Sequence, residues 1–76
     1  MGRKLKLPEM YPVKSTAVAG ISDYDPKTKS FHVKYKNGGV YQFAPSSPVE
    51  HANLIVAPSI GKHLNQHFRD RGVRVE

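Results

Sequence analysis

Ser30-Phe31-His32-Val33-Lys34-Tyr35-Lys36-Asn37-Gly38-Gly39-Val40-Tyr41-Gln42-Phe43 holds two alternating runs on either side of a turn. In the first run Phe31, Val33 and Tyr35 alternate with His32, Lys34 and Lys36. A period of two sends one set of side chains to a core and the other to water. Asn37-Gly38-Gly39 tolerates the positive φ that a tight hairpin demands. Val40 to Ala44 is the returning strand, with Tyr41 and Phe43 on one face and Gln42 on the other. The stretch predicts an antiparallel hairpin with an aromatic buried face.

Working upstream, Ser15 to Tyr24 carries Val18, Gly20 and Ile21 in a short apolar run and reads as a further strand. Asp25-Pro26-Lys27-Thr28-Lys29 joins it to the hairpin: Pro26 sets φ for a turn and Asp25 can accept from amides just beyond it. Three strands in chain order form a meander. Residues 1–13 hold two prolines and no clean period, and are expected to be a basic flexible arm ahead of a single domain over 14–76.

Downstream the chemistry changes. Ser47 suits an N-cap, Pro48 the first helical position and Glu50 the third, which completes a capping box. This helix should run to about Val56 and bury Val49, Ala52 and Val56, with Leu54 or Ile55 at its edge. Pro58 ends it. Ser59 can cap a second helix, in which Ile60, Leu64 and Phe68 recur at i, i+4 and i+8 as a core stripe. Gly72 stops that helix, and Val73-Arg74-Val75-Glu76 alternates as a short edge strand. The expected fold is α+β: a three-stranded antiparallel meander, then a helical hairpin packed on one face.

Seventy-six residues make one small domain with a narrow stability margin. Without cysteine there is no disulfide, and no ligand spacing marks a zinc site. The missing cysteine fits a reducing cytosol, so a cytoplasmic location is expected. The basic start lacks an apolar core for a secretory signal, and no run is long enough to span a membrane. Lys and Arg outnumber Asp and Glu by 12 to 6, for a net charge of +6. Half of that excess falls in residues 1–14. Such a charge favours phosphate-bearing partners.

Several segments together carry a family resemblance. They are Ser15 with Val18 and Ile21, Tyr24-Asp25-Pro26, Phe31-His32-Val33-Lys34-Tyr35, Gly38-Gly39-Val40-Tyr41-Gln42-Phe43, and Ala57-Pro58-Ser59-Ile60-Gly61-Lys62 with Asn65. In that order they resemble the KTSC domain, a short module found at the C-terminus of some lysyl-tRNA synthetases and as small stand-alone bacterial and phage proteins. The resemblance covers roughly residues 13–70, with Asp23 as an extra residue and Leu64 where an aromatic is usual. It implies a compact α+β domain and RNA or nucleotide contact.

The candidate site residues gather around the second helix. A helix start leaves amide N–H groups without partners and carries partial positive charge, so a phosphate can bind there. Ser59 marks that start, Gly61 lacks a Cβ that would obstruct approach, and Lys62 adds a full charge. Asn65, one turn on, could bond a base or sugar. Lys34, Lys36, Arg69 and Arg71 supply the wider field. Each has a plain structural alternative: Ser59 as an ordinary cap, Gly61 as a packing residue, the arginines as partners of the helix C-terminus. The sheet aromatics suggest a base-stacking platform, but so small a domain needs them for its core.

His63 and His67 lie one helical turn apart without a third ligand at useful spacing, so no metal and no cofactor are expected. No carboxylate pair or activated nucleophile supports catalysis. The expectation is a non-catalytic binding module for a phosphate-bearing ligand, foremost RNA or DNA. The alternative is a protein-interaction or nucleotide-sequestering module, such as a small phage protein that captures a host factor or a nucleotide messenger.

Overall fold

The computed structural model describes residues 8–68 and 70–76. Its elements are β1 (Met10–Pro12), β2 (Val18–Ser22), β3 (Phe31–Tyr35), β4 (Val40–Phe43), α1 (Pro48–Ile55), α2 (Ile60–His67) and β5 (Gly72–Arg74). All five strands form one antiparallel sheet in the order β1-β2-β3-β4-β5. The expected three-stranded meander is its centre.

Each outer strand docks where a side chain is missing. A Cβ on Gly20 would lie 3.0 Å from Met10 Cβ and 3.1 Å from the Tyr11 carbonyl oxygen. A Cβ on Gly72 would lie 2.7 Å from the Phe43 ring. Part of the stretch read as an arm is thus a strand at the sheet edge, and the C-terminal edge strand is present but begins at Gly72. The first seven residues of that stretch lie outside the described residues.

The central hairpin follows its sequence. Asn37 Oδ1 accepts from the Gly39 amide at 2.9 Å, and Gly38 takes φ +100. Phe31 pairs with Phe43 and Val33 with Tyr41 on the face that the helices cover. In β2, the register slips between Val18 and Gly20, where a bulge inserts one residue. Val18 and Ile21 are three apart, so a regular strand would point them to opposite faces. With the slip both pair on the inner face, opposite Tyr35 and Val33 respectively.

The core contains Val18, Ile21, Phe31, Val33 and Phe43 from the sheet, Leu54 from α1, and Ile60, Leu64 and Phe68 from the second helical segment. The Phe31 and Phe43 rings stack at 5.6 Å between centroids. Phe68 stands edge-on to both, at 5.6 and 5.5 Å. The expected stripe of α2 is therefore the buried one.

The first helix begins as expected: Ser47 Oγ accepts from the Glu50 amide, and Glu50 Oε1 accepts from the Ser47 amide, both at 3.1 Å. Its orientation differs from the expected one. Leu54 is fully buried, whereas Val49 and Val56 are 68% and 76% exposed, and Ala52 is also exposed. At 100° per residue, Glu50, His51 and Leu54 form one face and Val49, Ala52 and Val56 the opposite one. Three contacts select the first. His51 Nε2 lies 2.7 Å from the Ser22 carbonyl oxygen, with its ring edge-on to Phe31. Leu54 fills the core. Glu50 holds Arg71 through two hydrogen bonds, of 2.7 and 3.0 Å. A polar pair and one leucine thus override a weak aliphatic stripe.

Leu54→Ala should therefore cost about 2–5 kcal/mol in urea unfolding, and Val56→Ala less than about 0.5 kcal/mol. Equal losses would return the helix to the orientation expected from its aliphatic residues. The Glu50 carboxyl is held below its ordinary value of 4.5, chiefly by the hydrogen bonds from Arg71, with burial opposing and the Arg71 charge and Ser47 assisting. A depressed carboxyl stabilises the fold above its unfolded pKa and loses that contribution as pH falls through the folded one. Glu50→Gln keeps the cap but removes the charge. Its melting deficit relative to the parent should be present at neutral pH and close as the pH drops below 4.5.

Candidate functional site

The two helices start differently. Ser47 closes a capping box on α1, but the Ser59 hydroxyl makes no cap bond on α2. The first intrahelical bond of α2 runs from the His63 amide to the Ser59 carbonyl at 2.9 Å. The amides of Ile60, Gly61 and Lys62 precede it and gain no side-chain acceptor among the described residues. A depression of about 330 Å³ opens here, lined by Ala57, Pro58, Ser59, Lys62, His63 and Gln66. A second, of about 290 Å³, lies across Pro58 and Ser59 and is lined by Lys14, Ser15 and Thr16. Two lysines thus flank the start of α2.

Lys62 was legible in the sequence because it is local to the helix. Lys14 was not singled out, because 45 residues separate it from Ser59 and no periodicity links them. Only its place among the basic residues near the N-terminus hinted at it.

The other expected residues are dispersed. Gly61 faces the strand approach: a Cβ there would meet Ala17 Cβ at 3.6 Å and Ser15 Oγ at 3.9 Å, ordinary contact distances. The packing there leaves room for alanine. Asn65 borders a notch of about 100 Å³ with Tyr35, Tyr41, Phe43 and Gly72, on the flank of α2 away from His63. Lys34 lies on the opposite face of the sheet, beside Met10, Val40 and Glu76. Lys36 is exposed just beyond β3, its amide donating to the Ala17 carbonyl at 2.9 Å. Arg69 lies outside the described residues.

Arg71 is committed elsewhere. Besides Glu50, its guanidinium donates to the Pro45 carbonyl at 2.6 Å and lies over the Phe68 ring, 4.8 Å from the centroid. Bidentate pairing with Glu50 and the Phe68 ring beneath it give it a structural task. It is not a free phosphate fork. The aromatics are equally occupied: Phe31 and Phe43 are covered by the helices, and the Tyr24 hydroxyl donates to the Ser46 carbonyl at 2.7 Å. Tyr35 and Tyr41 meet edge to face at 5.4 Å, half-buried beside the core. Among the described residues, the inner face of the sheet offers no open stacking platform.

His63 and His67 have ring centroids 4.4 Å apart. Burial, then the neighbouring His67, push the His63 pKa below its ordinary 6.5. His32, on the outer sheet face, is also lowered by burial, with Asp25 opposing. Among the described residues no three or more His, Asp or Glu side chains gather to hold a metal, and no helix is long and apolar enough to cross a membrane.

A curated relative from Stutzerimonas stutzeri (strain A1501), an uncharacterized protein, is 31% identical over 51 residues, spanning 67% of this chain and 72% of the relative. The crystal structure of a KTSC domain protein from Yersinia pestis superposes with a TM-score of 0.79, covering 90% of this chain and 94% of that one at 22% identity. That likeness is one of fold. The KTSC domain family model matches residues 14–71. With the meander, the helix pair and the buried stripe in place, the chain belongs to the KTSC domain family.

Proposed function

We propose that this chain is a non-catalytic binding module that holds a phosphate group of a nucleic acid at the start of α2. One observation carries the reading. The amides that open α2 have no side-chain cap, and Lys14 and Lys62 flank them from two segments. Unpartnered amides and the helix dipole favour an anion, and the lysines add full charges. The net charge of +6 draws a polyanion toward the surface.

The grip is narrower than the full set of basic residues suggests. Arg71 is held by Glu50, and Lys34 lies behind the sheet. Binding therefore rests on few phosphate contacts, which favours a single strand or a chain end over a long duplex. Ser59, Lys62 and Lys14 carry the site. Asn65 lies on another flank of α2, Lys36 lies just beyond β3, and Gly61 stands beside Ser15 and Ala17.

A protein-interaction role is the second reading, favoured by the exposed Val49 and Ile55 of α1 and by Val56 just after it. The two readings separate cleanly, because Val49→Ser keeps the charge and should leave nucleic-acid binding unchanged while weakening a protein contact on α1.

Fluorescence anisotropy with short RNA and DNA strands tests the first. Lys62→Ala and Lys14→Ala should each weaken binding for every sequence and lower the slope of log K against log salt by about 0.7, one single-strand contact. No binding to any strand at low salt would end this reading. The pH dependence has a definite sign. His63 is depressed in the free protein, and a bound phosphate favours its charged form, so affinity should rise as pH falls from about 7.5 to about 5.5. His63→Gln should flatten that rise.

A further inference from the structure

We propose that His63 and His67 form a two-imidazole chelate for a late divalent transition-metal ion, with Cu²⁺ and Ni²⁺ held more tightly than by any other histidine of the chain. The two rings sit one turn apart on α2 with centroids 4.4 Å apart and planes inclined by 41°. Two imidazole nitrogens, each about 2.1 Å from a shared ion, stand about 3 Å from each other, a spacing that rings this close reach by small side-chain rotations.

Neither ring is engaged by a hydrogen bond to another described residue. His51 contrasts with them, since its ring lies against the Ser22 carbonyl. His32 stands alone on the opposite face of the sheet. The helix holds the two Cα positions fixed, and Phe68 backs the His63 ring at 6.2 Å between centroids. The second ligand is therefore delivered at little further cost in order, which is the basis of a chelate advantage.

Imidazole suits Cu²⁺, Ni²⁺ and Zn²⁺, with Cu²⁺ the strongest of the three. With two protein ligands, water fills the remaining positions and the ion stays open to exogenous donors. The chelate shares His63 with the phosphate reading but needs neither Ser59 nor Lys14, so either reading can fail without the other.

Isothermal titration of the untagged full chain with Cu²⁺, Ni²⁺ and Zn²⁺, in a non-coordinating buffer near neutral pH, tests it. One site per chain is expected. His63→Ala and His67→Ala should each weaken Ni²⁺ binding at least tenfold, whereas His32→Ala leaves it unchanged. His67 is exposed and His63 half-buried, and melting curves of the variants verify that the fold is intact. In the unaltered chain, Ni²⁺ or Cu²⁺ should broaden the amide signals around residues 63–67 first. Absence of binding up to millimolar ion, or broadening centred elsewhere, overturns the chelate. So does dependence on only one of the two histidines.

Discussion

Phe68 stands edge-on to the stacked Phe31 and Phe43 rings, and most of the molecule is arranged around that contact. Ring pairs of this kind contribute about 0.5–1.5 kcal/mol beyond the area they bury. For so small a domain, whose whole stability is a few kcal/mol, that is a substantial share. Phe68 also closes α2, and its outer face receives the Arg71 guanidinium. Through Arg71 the contact extends to Glu50 at the start of α1 and to Pro45 at the end of the hairpin. One aromatic cluster and the cation on it therefore join the sheet, both helices and the approach to β5.

This arrangement leaves the two ends of α2 unequal. Its C-terminal end is anchored by Phe68 and what packs on it. Its N-terminal end follows Pro58, has no side-chain cap and opens to solvent between two lysines. The packing contacts thus gather at one end of this eight-residue helix and the uncapped amides at the other. The same separation explains Arg71. Its charge looks available on composition alone, yet a bidentate carboxylate, a carbonyl and a ring claim the guanidinium. A bound phosphate would have to displace all three.

The first helix shows how a few specific contacts outweigh an average pattern. Its aliphatic residues are spaced for burial on one face, but His51, Glu50 and Leu54 each have a partner on the other. A leucine in the core and half-buried hydrogen bonds count for more than two valines that fit nowhere. The exposed valines remain on the surface because no element among the described residues covers them.

From the sequence alone came the hairpin, the capping box and the stripe of α2. Each rests on short-range rules: alternation within a strand, hydrogen bonds three residues apart, and apolar repeats one turn apart. The two lysines at the helix start divide along the same line, Lys62 being local and Lys14 distant. Tertiary structure decided everything that needs a distant partner. The outer strands join the sheet only because Gly20 and Gly72 allow close approach to Met10 and Phe43. The bulge beside Val18 answers to the pairing with β3. The rotation of α1 depends on Ser22, 29 residues before His51, and the fate of Arg71 on Glu50, 21 residues before it. Local periodicity carries no information about such partners, because they become neighbours only when the core closes.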